Sequence, residues 1–367
     1  MPSLLPAADA FRQLVDGSRR GPAAGLARAA LATLAAPYAG LVRARNLAYD
    51  TGLFAVHAAA VPVLSIGNLT LGGTGKTPLV AWMARCCAMA GRTPAIVSRG
   101  YGAARGRTSD EAAELAVLLP GVAHVADRDR VAATATAVAA GAEVVVLDDG
   151  FQHRRLARDL DVVAIDATDP FGCGRMFPRG LLREPVAGLG RAHAVVLTRA
   201  DTVDADRRQA IRRSLAAAAG RAGPTAWAEA VHEPHRLRSA AGLEQPLAAV
   251  RGRRVAAFCG IGNPDAFRRT LTGLGANLVD FHVFPDHHAY IPADVADLAA
   301  RAVRARAEFV VTTLKDLVKL PHETLGGLPL VAVEIALRIV QGEADLERLV
   351  RAAIARAESP PSGRGTA

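Results

Sequence analysis

Short, unbroken apolar runs recur along the chain, separated by stretches in which apolar residues fall three and four apart. The runs predict buried strands at 61–66, 94–97, 143–147, 161–166 and 194–197, then at 225–231, 254–258, 279–284, 308–312 and 328–335. The stretches between them predict helices at 81–90, 130–140, 211–221, 265–274, 292–306 and 346–357. Strands this short and apolar suit a parallel sheet, so the expected class is α/β. Gly223-Pro224 punctuates the pattern, which then begins anew, so residues 51–224 and a smaller 225–358 are expected as two α/β domains. The Pro, Ser and Gly of residues 359–367 predict a disordered tail.

The N-terminal pattern is different. Residues 1–20 read as irregular, and 23–47 as a helix whose Leu26, Leu31, Leu34, Tyr38 and Leu41 form an imperfect stripe beside Arg28, Arg43 and Arg45. With Arg28, Pro37 and many alanines it falls short of the about 20 strongly apolar residues of a spanning helix. A membrane-associated amphipathic helix in the interface fits residues 1–50 better, with packing on the protein's own core as the alternative.

A chain of 367 residues, 51% hydrophobic, is long enough for two cores. The formal charge of +9 attracts polyanions without choosing among nucleic acid, phosphorylated lipid and anionic membrane. Cys86, Cys87, Cys173 and Cys259 lack zinc spacing and read as packing residues of a reducing compartment. The N-terminus lacks the succession of a cleaved signal, so the chemistry is expected to face the cytosol.

That chemistry centres on 61–80, VPVLSIGNLTLGGTGKTPLV, which reads as strand, glycine-rich loop and helix. Gly72, Gly73 and Gly75 let backbone N–H groups turn inward, Lys76 can reach outer phosphates, and Thr77 can place its hydroxyl on Mg²⁺. The cradle, Thr70, Leu71, Gly72, Gly73, Thr74, Gly75, Lys76 and Thr77, predicts a nucleoside triphosphate, although Thr70 stands where the common pattern has glycine. Arg99 follows the next strand, and Asp110 and Glu111 open a helix, where carboxylates also serve as caps. Asp148 and Asp149 end an apolar strand, the usual place of a magnesium-organising carboxylate, and lead into Gln152 and His153. Arg183 and Glu184, between Leu182 and Pro185, suggest a rigid substrate or metal loop. Thr198-Arg199-Ala200-Asp201 lacks the Asn and Lys of a guanine-reading element.

Taken in order, these motifs resemble the tetraacyldisaccharide 4′-kinase family of lipid A biosynthesis. The motifs are 67–70 leading into 72–77, then 98–102, 148–153, 182–185, Gly260-Ile261-Gly262-Asn263-Pro264, Asp286-His287-His288 and Thr313-Leu314-Lys315-Asp316. The family's phosphate loop tolerates Thr at the Thr70 position. The resemblance implies a P-loop-type domain, ATP and Mg²⁺, and transfer of the γ-phosphate to the 4′-hydroxyl of an acylated disaccharide 1-phosphate. The partners it implies are that lipid and the cytoplasmic face of an inner membrane, with no nucleic acid. By the same resemblance Lys76 neutralises phosphates, and Thr77, Asp148, Asp149 and Glu184 are candidate metal organisers. Arg99, Gln152, His153 and Arg183 are expected at the substrate, and Asp110 with His287 as the pair that activates the acceptor hydroxyl. Asp127 or Asp129 would serve if the local correspondence shifts. A kinase of a small soluble acceptor, or a nucleotide switch, are the rival readings.

Overall fold

The computed structural model describes residues 8–100 and 109–356. Tyr101 and Gly102 of the 98–102 motif, residues 1–7 and the tail 359–367 lie outside them. The described residues divide into two compact units: 8–98, 129–231 and 339–356 form unit 1, and 99–100, 109–128 and 232–338 form unit 2. The division does not follow the chain in sequence. Gly223-Pro224 is a turn inside unit 1, because Ala226 to Glu229 pair with the strand before them and so belong to its sheet.

Unit 1 begins with α1 (Ala8–Val15) and the long α2 (Pro22–Asp50). The first corrects the expectation of irregular structure over residues 1–20. Its driving force is packing: Val15 is buried, and the Phe11 ring lies 6.2 Å from that of Phe177. Then follow β1 (Val63–Gly67), α3 (Lys76–Met89), β2 (Pro94–Ser98), α5 (Arg130–Ala139), β4 (Val144–Asp148), β5 (Leu160–Asp166), β6 (Ala194–Thr198) and α6 (Ala205–Ala219). The long β7 (Ala226–Arg238) and β13 (Leu328–Gln341) each run from one unit into the other along the chain, and α10 (Glu343–Arg356) closes unit 1.

The strands of unit 1 pair in parallel in the order β7-β6-β5-β1-β4-β2. Every residue of β1, β2, β4, β5 and β6 is buried, which is why they read as continuous apolar runs. Central β1 thus has β4 on one side and β5 on the other, and loops at their carboxyl ends converge where open α/β sheets bind ligands.

Unit 2 contains α4 (Asp110–Leu118), β3 (Ala123–Ala126), β8 (Glu244–Gln245), β9 (Arg254–Cys259), α7 (Pro264–Gly273), β10 (Asn277–Val283), α8 (Pro292–Arg304), β11 (Phe309–Thr313), the short helical turn α9 (Leu314–Leu317) and β12 (Thr324–Leu325). Its sheet is parallel in the order β10-β9-β11-β13, around a core of Val255, Ala257, Phe267, Leu271, Val311 and Val331. Short β8 and β12 pair antiparallel with β7 and β13.

Helix α2 answers both readings of the N-terminal stripe. Ala24, Ala35 and Ala39 are buried against unit 1 at helical spacing, while Leu26, Leu34 and Leu41 are 76%, 59% and 70% exposed. It is long and apolar enough to cross a membrane, by length and composition. The helix is also fastened to unit 1 by polar bonds: Tyr38 Oη donates to the Arg183 carbonyl (3.0 Å) and Arg45 to that of Gln152 (2.6 Å).

Candidate functional site

The glycine-rich loop of unit 1 is held by close backbone approach. A Cβ on Gly67 would lie 2.5 Å from that of Phe151 and one on Gly150 would lie 2.6 Å from Ser65 Oγ, so glycines let the ends of β1 and β4 meet. Gly75 has φ +75°, a left-handed conformation that turns the loop into α3 and sets Lys76 and Thr77 in its first turn. The next strands brace the loop from outside. Thr198 Oγ1 donates to the Thr74 carbonyl (2.8 Å), and Arg199 donates to the Gly73 carbonyl (3.1 Å) while pairing with Asp166 at the end of β5. The Leu71 N–H donates to the Leu181 carbonyl (2.7 Å) and Thr70 bridges Leu182. Residues 198–199 therefore serve as a strut for the phosphate loop.

Four side chains close over this loop. Lys76 Nζ lies 3.0 Å from Asn68 Oδ1 and 3.2 Å from Asp149, and Arg183 Nη1 donates to both Asp149 oxygens at 2.8 and 2.9 Å. Burial alone would raise the Asp149 carboxyl, but Lys76 and Arg183 overcome it and hold the group well below the usual range. Asp148 is buried at the end of β4, in register with Ile66, and Thr77 is half-buried. Both are oxygen donors beside the loop.

Glu184 is buried within a hydrogen-bonded loop. Its carboxylate is 1% exposed and accepts from Arg191 (2.6 Å) and Gln152 (2.8 Å), and the Arg191 guanidinium lies 4.7 Å over the Phe151 ring. One donor on each oxygen ties the loop to Arg191 and Gln152, and each oxygen keeps a further acceptor site. The Gln152 Nε2 donates to Glu184 and to the Asn68 carbonyl (2.8 Å), while its Oε1 is buried without a hydrogen-bond partner among the described residues. Burial, with Arg130, Arg155 and Arg158 adding to it, lowers His153 to about 4, so at neutral pH it brings no positive charge to a phosphate. Arg99 stands exposed just beyond β2.

Unit 2 assembles a second cluster. Ser109 caps α4, its Oγ accepting from the Ala112 N–H (3.3 Å), which leaves Asp110 free of that duty. Asp110 Oδ2 instead lies 3.2 Å from His287 Nδ1 and 3.1 Å from Lys319 Nζ. Lys315 Nζ reaches His287 Nε2 (3.1 Å) and donates to Asp286 (2.9 Å). Fully buried Asp316 anchors the arrangement, accepting from the Gly260 N–H (2.9 Å), Thr313 Oγ1 (2.6 Å) and Lys319 (3.3 Å). His288 turns away to stack on Phe284 and bond Asp294 (2.8 Å), so His287 is the histidine that reaches Asp110. One turn along α4 from Asp110, burial pushes the Glu114 carboxyl up to about 7; the neighbouring carboxylates add to this and Lys315 opposes it. Asp129 is occupied as the cap of α5, and Asp127 follows β3 in an exposed turn.

Each unit thus gathers its share of the sequence candidates: Lys76, Thr77, Asp148, Asp149 and Arg183 in one, Asp110 and His287 in the other. Reading the residues quoted Asn68, Arg199 and Lys315 within motifs without giving them a role, and passed over Lys319. The signal for the lysines was present as the run Lys315-Asp316-x-x-Lys319 directly after an apolar strand. For Asn68 it was a lone amide between a buried strand and a glycine loop.

Comparison with known proteins places this geometry among relatives. A family model described as tetraacyldisaccharide-1-P 4′-kinase matches residues 27–355. A protein named tetraacyldisaccharide 4′-kinase from Anaeromyxobacter sp. (strain Fw109-5) is 44% identical over 337 residues, 86% of this chain and 88% of that one. One of the same name from Geobacter metallireducens is 41% identical over 80% of this chain and 89% of its own length. A crystal structure of LpxK from Aquifex aeolicus, solved in complex with ATP, superposes with a TM-score of 0.71 at 30% identity, covering 89% of this chain and 99% of that one.

Proposed function

The chain belongs to the tetraacyldisaccharide-1-P 4′-kinase family, transferring the γ-phosphate of ATP to the 4′-hydroxyl of tetraacyldisaccharide 1-phosphate in lipid A biosynthesis, and we propose that its two clusters divide that work. In unit 1, the N–H groups of residues 70–77 and Lys76 hold the ATP phosphates, and Arg183 shares the charge of the transferring group. In unit 2, Asp110 takes the proton of the acceptor hydroxyl, His287 orients it, and Lys319 fixes the carboxylate and favours its charged form. Glu184 and Gln152 act as positioning residues for the loop that carries Arg183.

The donor set near the loop fits Mg²⁺. Thr77 and Asp148, with Asp149 beside them, offer hard oxygens, and the described residues contain no group of three or more His, Cys, Asp or Glu able to hold a metal alone. That is the expected pattern for an ion that takes its remaining ligands from water and ATP. When bound it would neutralise phosphate charge, with Thr77 and Asp148 holding it. The exposed leucines of α2 support peripheral attachment to the cytoplasmic face of the inner membrane, where an acylated acceptor resides.

The observation that carries this reading is the Asp110–His287 contact between residues 177 apart in sequence, in a family whose reaction needs a base. The test is transfer from γ-labelled ATP to tetraacyldisaccharide 1-phosphate in detergent micelles with Mg²⁺. Label in the lipid that requires Lys76 supports the reading; a folded, ATP-binding protein that leaves the lipid unlabelled would overturn it.

A further inference from the structure

Helices α1 and α2 and the loop after β5 enclose a cavity of about 620 Å³ whose lining includes Arg12, Arg28, Arg175 and Arg179, with Asp16 and Asp169. The two carboxylates are engaged within their own turns. Asp16 Oδ1 accepts from the Ser18 N–H (2.8 Å) and hydroxyl (2.7 Å), and Asp169 Oδ1 from the Cys173 N–H (3.0 Å). Among the described residues, none of the four arginines is in an ion pair, although other arginines in the loops of unit 1 reach a carboxylate, as Arg154, Arg158, Arg183 and Arg199 do.

Two of the four are fixed in place. Arg28 donates to the Arg19 carbonyl (2.8 Å) and Arg179 to that of Val15 (3.1 Å), which ties the α1–α2 turn to the loop after β5. Each guanidinium retains further donors. Four cations against two carboxylates leave the cavity with a net positive charge, and forked guanidiniums match phosphate oxygens bidentately. The setting selects a lipid as its carrier. Arg28 follows the buried Ala24, Ala35, Ala39 spacing of α2, and the exposed leucines occupy the other side of the same helix. The loop that bears Arg175 and Arg179 also packs on the phosphate loop, since a Cβ on Gly172 would lie 2.8 Å from Thr70 Cγ2.

We propose that this cavity binds the phosphate of a lipid, held by Arg12, Arg28, Arg175 and Arg179, with the acceptor's own 1-phosphate or an anionic phospholipid headgroup as its source. The first source rests on the lipid-kinase reading above; the second does not. Among the described residues, Arg12 and Arg175 hold the fold through their backbone carbonyls, which a substitution keeps, and not through their guanidiniums, so the double variant Arg12→Gln/Arg175→Gln tests the site in the full chain. Its KM for tetraacyldisaccharide 1-phosphate is measured in neutral detergent, and its sedimentation with vesicles of phosphatidylcholine with and without phosphatidylglycerol. A rise in acceptor KM of roughly tenfold or more, with the KM for ATP unchanged, assigns the acceptor's phosphate. Loss of phosphatidylglycerol-dependent sedimentation at unchanged KM assigns the headgroup. Intact values in both arms overturn the site. Should the parent protein transfer no phosphate at all, the lipid-kinase reading fails while the vesicle arm still reads the cavity.

Discussion

The two clusters are made of similar parts, a carboxylate flanked by cations, yet they are built differently. Around Asp149, a buried strand, a glycine loop and a helix start follow one another in sequence, and neighbouring strand ends brace the loop from outside. Around Asp110, the first turn of α4 meets the loop after β10 and the residues after α9, and polar contacts rather than strand geometry bring them together. His287 remains 44% exposed in the second cluster, whereas Lys76 is 18% exposed in the first. The contrast agrees with the two duties proposed for the clusters. A phosphate cradle benefits from being rigid before ATP arrives, and a base must remain open to an acceptor.

The comparison is sharpest at the lysines. Lys76→Ala removes the cation that unit 1 places on ATP and leaves Asp149 with Arg183 alone, so transfer should fall roughly 10³-fold, with weakened ATP binding in a calorimetric titration. Unchanged ATP affinity would break the assignment of duties. Lys319→Met acts within unit 2, removing the cation beside Asp110 and with it the bonds to Asp316 and the His288 carbonyl. The expected loss is about tenfold in kcat with the KM for ATP untouched, and Lys319→Arg should recover most of it. A change confined to KM for ATP would contradict that placement.

The smallest expected effect is on stability. Glu114 has its folded-state pKa raised to about 7, so the folded protein binds a proton that the unfolded chain releases near the ordinary carboxylate value. The stabilisation it brings is present at low pH and is lost as pH rises from the unfolded value through about 7. Glu114→Gln should therefore raise the melting temperature at pH 8 and leave it nearly unchanged at pH 5. Equal shifts at both pH values would show that the carboxyl is not buried enough to resist ionisation.

The same contrast explains what could be read from the sequence. Gly67 to Thr77 was legible because every part of the cradle is local, so a run of a dozen residues carries its own geometry. Asp148 was legible as an acid at the end of an apolar run. Asp110 was ambiguous between base and cap, since which of the neighbours Ser109 and Asp110 takes the capping bond shows only in the fold, where Ser109 Oγ accepts from the Ala112 N–H. Lys319 was invisible as a partner of Asp110 because nothing in the spacing of residues 209 positions apart encodes a 3.1 Å contact. At Glu184 the acid beside Arg183 was legible, but not its bonds to Arg191 and Gln152, which come from other parts of the chain. Helix α1 was missed because it is only eight residues long, although Phe11, Leu14 and Val15 fall three and four apart and Phe11 and Val15 pack on the rest of unit 1. The passage of residues 109–128 into unit 2 leaves no mark in composition.

The claim that one unit holds ATP while the other supplies the base is tested most directly by Asp110→Asn. ATP affinity and γ-phosphate transfer to tetraacyldisaccharide 1-phosphate are measured on the same preparation. The account predicts ATP binding equal to that of the parent protein and transfer reduced by roughly 10²-fold or more. Transfer at the parent rate, or a loss of ATP binding that accounts for the whole defect, would contradict it.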